Sequence, residues 1–300
     1  FLYCMKEYIV YLYRIYLFYT RYLKYYKVLC EKNNLNILSV EETIKYIIKN
    51  NSSFSRFGDG EINLINGIGN GFQSSNLELG MRLKEILNSD LPNHFIGVPS
   101  YFNGFDKFTW DAKLFFCEHL FLQGDKWVNI CSKKGFFGDA LSTRFYIDYR
   151  HKNRCKGIIA LWKELWRNRD IVVIEGDKTR LGINNDLFQG AKSLKRIICP
   201  NENAFQKYEL ILEEALKQSK TDLIIIALGQ TATVLAYDLA QYGFQAIDIG
   251  HIDIEYEWYL RKAKKKCPVP YKYVNEIHER NVEAIDSENI YYSQIVSSIV

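Results

Sequence analysis

No CxxC pair occurs among the seven cysteines, at 4, 30, 117, 131, 155, 199 and 267, so zinc-finger spacing and an even disulfide framework are both missing. Reduced thiols in a cytosolic compartment are the expectation. Also missing is a run of the ~20 uninterrupted apolar residues that a spanning helix needs. Arg14 and Arg21 interrupt the best candidate. Neither GxxxxGK[ST] nor GxGxxG follows any strand-like run, which argues against a P-loop ATPase and an ordinary dinucleotide dehydrogenase. No repeat emerges, and no linker rich in Pro, Gly or Ser divides the chain. A net charge of +4 from 39 basic and 35 acidic residues is too mild for a nucleic-acid binder, so an anionic partner must be sought locally.

What is present is apolar: 48% of the 300 residues, with 15% aromatics, ample for a sizeable core. The chain opens on Phe1 rather than Met, so this is not expected to be the natural terminus. Residues 1–32 read as a basic amphipathic extension. Lys6, Arg14, Arg21, Lys24 and Lys27 fall within about 140° of one helical face, and Tyr, Leu, Ile and Phe fill most other positions. Such a helix can pack on its own domain or on a second copy, or lie in an anionic bilayer interface. The remainder, 36–300, reads as one domain. Ser39 with Glu42 forms a capping-box start for a short helix. Between 62 and 170 the pattern is mostly helical, with short strand candidates such as HFIGVPS (94–100) and WVNICS (127–132).

The second half is more regular. RDIVVIEGD (169–177), LKRIICP (194–200), TDLIIIALG (221–229) and FQAIDIG (244–250) are apolar runs separated by helical stretches. Such runs read as buried parallel strands, which predicts an α/β, Rossmann-like fold with a mostly parallel sheet flanked by helices. Ligands bind such sheets outside the carboxyl ends of the strands.

The strand ends carry several candidates. Lys178 and Arg180 suit a phosphate, against the alternative of a solvated charged loop. At ALGQTATV, Gly229 permits close backbone approach and Thr231 or Thr233 can cap the next helix, an arrangement that also suits a diphosphate. After Gly250 come His251, Asp253, Glu255 and Glu257, the densest supply of candidate bases; caps and surface ion pairs are the alternative. Near the start, RFGDGE (56–61) is either a tight Asp-Gly turn or a pair of carboxylates, Asp59 and Glu61, that hold a metal.

Together RFGDGE, VVIEGDKTRLGINNDLF, KRIICPNENAF, ALGQTATVLAYDLA, GHIDIEYEWYL and KYVNE, in this order, closely resemble the bacterial glycosyltransferases of the GT-D type. That family was first catalogued as a domain of unknown function and includes a glucosyltransferase that extends a glycan on a serine-rich-repeat adhesin. The resemblance covers about residues 40–276 and leaves out the N-terminal helix. It implies a Rossmann-like enzyme that moves a hexose, typically glucose, from a UDP-sugar to a glycan or glycoprotein acceptor. It also implies a divalent Mn²⁺ or Mg²⁺ held through an Asp-x-Glu motif, here Asp59 and Glu61. Arg56, Arg180, Asn185, Asp186, Gly229 and Thr231 would then serve the donor. The base would come from Glu255 first, then Asp253 and His251. A Gly commonly stands in the family where this chain has Asn184, a residue that tolerates the left-handed conformation second best. A silent nucleotide-sugar-binding scaffold and a phosphohydrolase are the competing readings. A cytoplasmic enzyme, peripheral at the inner membrane face or paired with a second copy through residues 1–30, and without nucleic acid, completes the expectation.

Overall fold

The computed structural model describes residues 2–32, 35–131, 136–277, 282–284, 286 and 290–300. The chain begins with α1 (Leu2–Leu17), a π-helical turn (Phe18–Tyr22), α2 (Leu23–Lys32), β1 (Asn36–Ile37), α3 (Val40–Asn50), β2 (Ser53–Arg56), α4 (Asp59–Ile65) and α5 (Leu77–Leu87). Then come β3 (His94–Val98), α6 (Trp110–Cys131), β4 (Phe136–Asp139), α7 (Cys155–Trp166), β5 (Asp170–Gly176), β6 (Ser193–Cys199) and α8 (Tyr208–Leu216). It closes with β7 (Leu223–Ala227), α9 (Gln230–Gln241), β8 (Gln245–Asp248), α10 (Ile252–Leu260), α11 (Ile290–Ser293) and β9 (Ile295–Ser298).

Among the described residues the strands form one sheet in the order β1-β4-β3-β2-β8-β7-β5-β6-β9, and every neighbouring pair is parallel. The expected Rossmann-like sheet is therefore present. Ile171 to Ile174 and Leu223 to Ile226 are fully buried, because helices cover both faces of a parallel sheet and leave no polar side to the strand. At the β2/β8 junction the chain leaves the two neighbours in opposite directions: β2 is followed by β3 on one side, and β8 by β9 at the far edge of the other. That junction is a topological switch point, where the loops leaving adjacent strands diverge and open a crevice.

Local signals explain much of the helical layer. Ser39 Oγ accepts from the Glu42 amide at 3.3 Å while Glu42 accepts from the Ser39 amide at 2.9 Å, the reciprocal cap that starts α3. WVNICS is not a strand: Trp127 to Cys131 form the last turns of α6, and Ser132 lies outside the described residues. Cys117, Leu120, Gly124, Trp127 and Cys131 recur at helical spacing and are all buried, so the 3.6-residue period prevails over local β propensity.

The N-terminal helix divides into two halves. Its second half is docked: Phe18 meets Trp110 edge-on at 5.1 Å, Tyr22 packs on Phe121 at 5.0 Å, and Arg14 pairs with Glu118 at 2.8 Å. Leu29 sits so close to α6 that a Cβ on Gly124 would lie 2.7 Å from it. Residues Tyr8 to Tyr13, by contrast, are all exposed. The side chains of Cys4, Lys6 and Cys30 lie outside the described set; the other five cysteines are free thiols. No described helix is long and apolar enough to cross a membrane.

Candidate active site

The carboxyl ends of the central strands open into a cavity of about 800 Å³. Its wall takes Phe57 to Glu61 from the loop after β2, Arg144 from the segment after β4, Thr179 and Leu181 from the loop after β5, Gly229 and Gln230 after β7, and Gly250 and His251 after β8.

RFGDGE resolves into neither a hairpin turn nor a loop. Phe57 still pairs with β3 through its amide to Gly97 O at 2.9 Å; the chain then leaves the sheet, and Gly58 precedes the first turn of α4. Glu61 reaches back to accept the Gly58 amide at 2.7 Å. Its carboxyl is buried, and desolvation, then the charge of Asp248, push its pKa up to about 7. Asp59 stands two residues earlier, exposed on the cavity wall, and makes no side-chain hydrogen bond or ion pair among the described residues. A Cβ on Gly60 would lie 2.2 Å from the Gln230 amide nitrogen, so glycine lets this turn touch the loop after β7.

These residues fit a hard divalent cation. Asp59 offers an uncommitted carboxylate, Glu61 lines the same cavity while one of its oxygens caps the Gly58 amide, and the donors are oxygens. No cluster of three or more His, Cys, Asp or Glu among the described residues could hold a metal by itself. An ion here would therefore complete its shell with water or a ligand phosphate, the habit of Mg²⁺ and Mn²⁺ rather than of Zn²⁺.

Arg56 lines the cavity but is bound into the scaffold. It pairs with Asp248 at 2.8 Å, donates through Nε to Asp248 O at 3.0 Å and through Nη1 to Thr143 Oγ1 at 2.8 Å. One guanidinium thus ties the ends of β2 and β8 to the segment after β4. Gly250 adopts φ 45°, and a Cβ there would lie 1.8 Å from Arg56 Nη2, so only glycine passes this point.

A sequence profile described as the glycosyltransferase GT-D fold matches residues 54–277. The chain belongs to the GT-D glycosyltransferase family. A Streptococcus gordonii protein described as "Probable glycosyl transferase Gly" is 37% identical over 271 residues, which is 90% of this chain and 39% of that protein. "Glycosyltransferase GlyD" of Streptococcus pneumoniae is 37% identical over 268 residues, 89% of this chain and 33% of that protein. The GT-D chain therefore spans between a third and two fifths of these curated relatives. A solved structure described as a domain of unknown function 1792 with a distinct glycosyltransferase fold superposes with a TM-score of 0.87 at 37% identity, covering 91% of this chain and 98% of its own. A second, described as a new glycosyltransferase from Streptococcus sanguinis, gives 0.85 at 37% identity, covering 89% and 100%.

Within the GT-D chain the acidic segment after Gly250 is helix α10, so its carboxylates point to different sides. Glu255, the first expected base, is corrected: it is fully buried and does not line the cavity. Its Oε2 accepts the amides of Tyr146 and Ile147 at 2.8 and 2.9 Å, which holds the turn after β4. Asp253 reaches the cavity wall, but accepts from Lys272 at 2.6 Å, Asn185 at 2.8 Å and the Gly182 amide at 3.1 Å. His251 lines the cavity with Nε2 2.9 Å from Glu276 Oε1, an oxygen also 2.8 Å from Arg144. Neither Glu276 oxygen accepts an aligned hydrogen bond: Arg144 holds Glu276 by charge, and the His251 contact is an ion pair only when the imidazole is protonated. Burial raises the Glu276 pKa, but His251 and Arg144 outweigh it and hold the carboxyl well below its ordinary range.

Four donor expectations need similar correction. Arg180 turns from the cavity to donate to Tyr271 O at 2.7 Å and Glu283 O at 2.6 Å. Asn185 joins Asp253 to Glu257, and Asp186 pairs with Lys163 at 2.7 Å; both border a second, separate hollow. Asn184 does adopt the left-handed conformation, φ 61°, that the glycine of the family pattern suggests. Thr231 is fully buried off the cavity wall, and neither it nor Thr233 caps α9, whose N-cap is Gly229 at φ 53°. Sequence reasoning missed Arg144, Glu276 and the run Lys264, Lys265, Lys266, all on the cavity wall. Glu276 ends the KYVNE block and so carried a signal; a lysine run reads as solvated surface.

Glu255→Gln tests the corrected role. A carboxyl with a folded-state pKa of about 7, above its ordinary 4.5, gives the folded chain extra protons between those values. Stability therefore falls as pH rises through that window, and the loss is complete above it. Gln cannot ionise and keeps an acceptor for both amides. The variant is expected to unfold at a higher temperature than wild type at about pH 8, to match it near pH 4, and to retain turnover. A folded variant without turnover would return Glu255 to the chemistry.

Proposed function

We propose that the chain is a metal-dependent glycosyltransferase that moves a hexose, glucose by family likeness, from a UDP-sugar to a glycan acceptor of a surface polysaccharide or glycoprotein. One observation carries the reading: Asp59, exposed and uncommitted, lines the same cavity as Glu61, Gly229 and Gln230. Asp59 and Glu61 would hold Mn²⁺ or Mg²⁺, which neutralises charge on the departing UDP when bound. Gly229 and the first amides of α9 suit the diphosphate, because helix N-termini present unpaired N–H groups.

The acceptor hydroxyl bonds to the anomeric carbon as the bond to UDP breaks, and its proton needs an acceptor. His251 fits that role best. Contact with Glu276 keeps Nε2 turned to the carboxylate and leaves Nδ1 as the nitrogen that can take a proton. Asp253 is less suited, since Lys272 already neutralises it. The cytoplasm is the compartment in which the reading places the reaction.

The test is UDP release from a panel of UDP-sugars, with Mn²⁺, Mg²⁺ or EDTA, alongside donor binding by calorimetry. Release with one donor that EDTA abolishes is the expected result. Donor binding without release, even with acceptor glycans supplied, would favour a silent nucleotide-sugar-binding scaffold. Phosphate release from simple esters would favour a hydrolase.

A further inference from the structure

The N-terminal helix presents more apolar surface than its own domain covers. Tyr8, Ile9, Tyr13, Tyr16 and Tyr19 are each 59–63% exposed, and Val10 and Leu12 about half. The docked side carries Phe18, Tyr22 and Leu29. Counted at 100° per residue within each α-helix, Ile9, Tyr13 and Tyr16 of α1 turn about 100–160° away from the docked Arg14, and Lys24 and Lys27 of α2 turn about 140–160° away from the docked Leu29. Arg21, Lys24 and Lys27 are exposed, and residues 8–30 contain no Asp or Glu.

We propose that this outward face docks the enzyme on an anionic lipid bilayer. Tyrosine rings and aliphatic side chains suit the depth where headgroups meet acyl chains, and long lysines reach back to the phosphates. Charge complementarity selects a bilayer over a second copy, since a symmetric pairing would set this acid-free basic face against itself. On its docked side the same helix reaches the cavity wall through Arg14, and Lys264, Lys265 and Lys266, all three exposed, line that wall too, so basic charge extends from the helix to the cavity.

The test is flotation of the full chain with phosphatidylcholine vesicles, with and without phosphatidylglycerol, at low and high salt. Association only with the anionic vesicles, weakened by salt, is expected. Lys24→Gln with Lys27→Gln should lower vesicle affinity about tenfold or more, as should Ile9→Ser with Tyr13→Ser, while UDP release in solution stays at the wild-type level. Three results would overturn the proposal: no association with either vesicle, equal association of the variants, or light scattering showing a dimer that Ile9→Ser with Tyr13→Ser dissolves while no vesicle binds.

Discussion

Asp59→Asn is expected to lower kcat for UDP release by about 10²–10³-fold while leaving the unfolding temperature within measurement error. The two halves of that expectation have separate causes. Asp59 is exposed, begins α4 without any partner among the described residues, and contributes nothing to the core. Its charge helps the helix start only weakly, by a few tenths of a kcal/mol. The substitution keeps the volume and removes a negative charge from the cavity wall, where a divalent cation and a diphosphate would need it. Glu61→Gln differs. Gln retains an acceptor for the Gly58 amide, so the cap survives, yet the residue is buried and its replacement changes both stability and site charge. Comparing the two by steady-state kinetics over a Mn²⁺ titration, with thermal unfolding as control, separates ligand from cap. Full turnover of Asp59→Asn at saturating donor would remove the metal role.

How much of this was legible depends on how local each cause is. The strands β5 to β8 were readable because burial on both faces demands unbroken Val, Ile and Leu, and the Ser39 cap because its partner stands only three residues away. Trp127 to Cys131 misled, since five residues rich in apolar side chains fit either period; only their continuity with Leu120 and Gly124 decides. The site was legible in its residues more than in its geometry. Asp253 and Glu255 are adjacent in the acidic run, but a helix turns them some 200° apart. One reaches the cavity wall and the other holds the amides of Tyr146 and Ile147, more than a hundred positions away. Arg180 and Asn185 have donor-like chemistry, but their partners at Tyr271, Glu283 and Glu257 claim them. No local pattern encodes such long-range claims.

Lys272→Met should cost about 3–5 kcal/mol and lower the unfolding temperature by on the order of 10 °C, the largest stability loss expected from a polar position. Lys272 is 4% exposed, with Nζ 2.6 Å from Asp253 and 3.2 Å from Glu257, both buried. Met fills the space of the aliphatic stem, so the loss is not a cavity but two carboxylates deprived of their shared cation. Asn185 still donates to both and Arg261 still reaches Glu257 at 3.1 Å, but neither replaces the buried charge on Asp253. The effect should spread to the active site, because Asp253 also accepts the Gly182 amide and so holds the loop whose Thr179 and Leu181 line the cavity. Adding Asp253→Asn removes one stranded charge. The double variant is therefore expected to be more stable than Lys272→Met alone, a non-additivity that distant sites would not show. Thermal unfolding of the two single variants and the double variant measures it; additive losses would mean that Lys272 and Asp253 stabilise the fold independently.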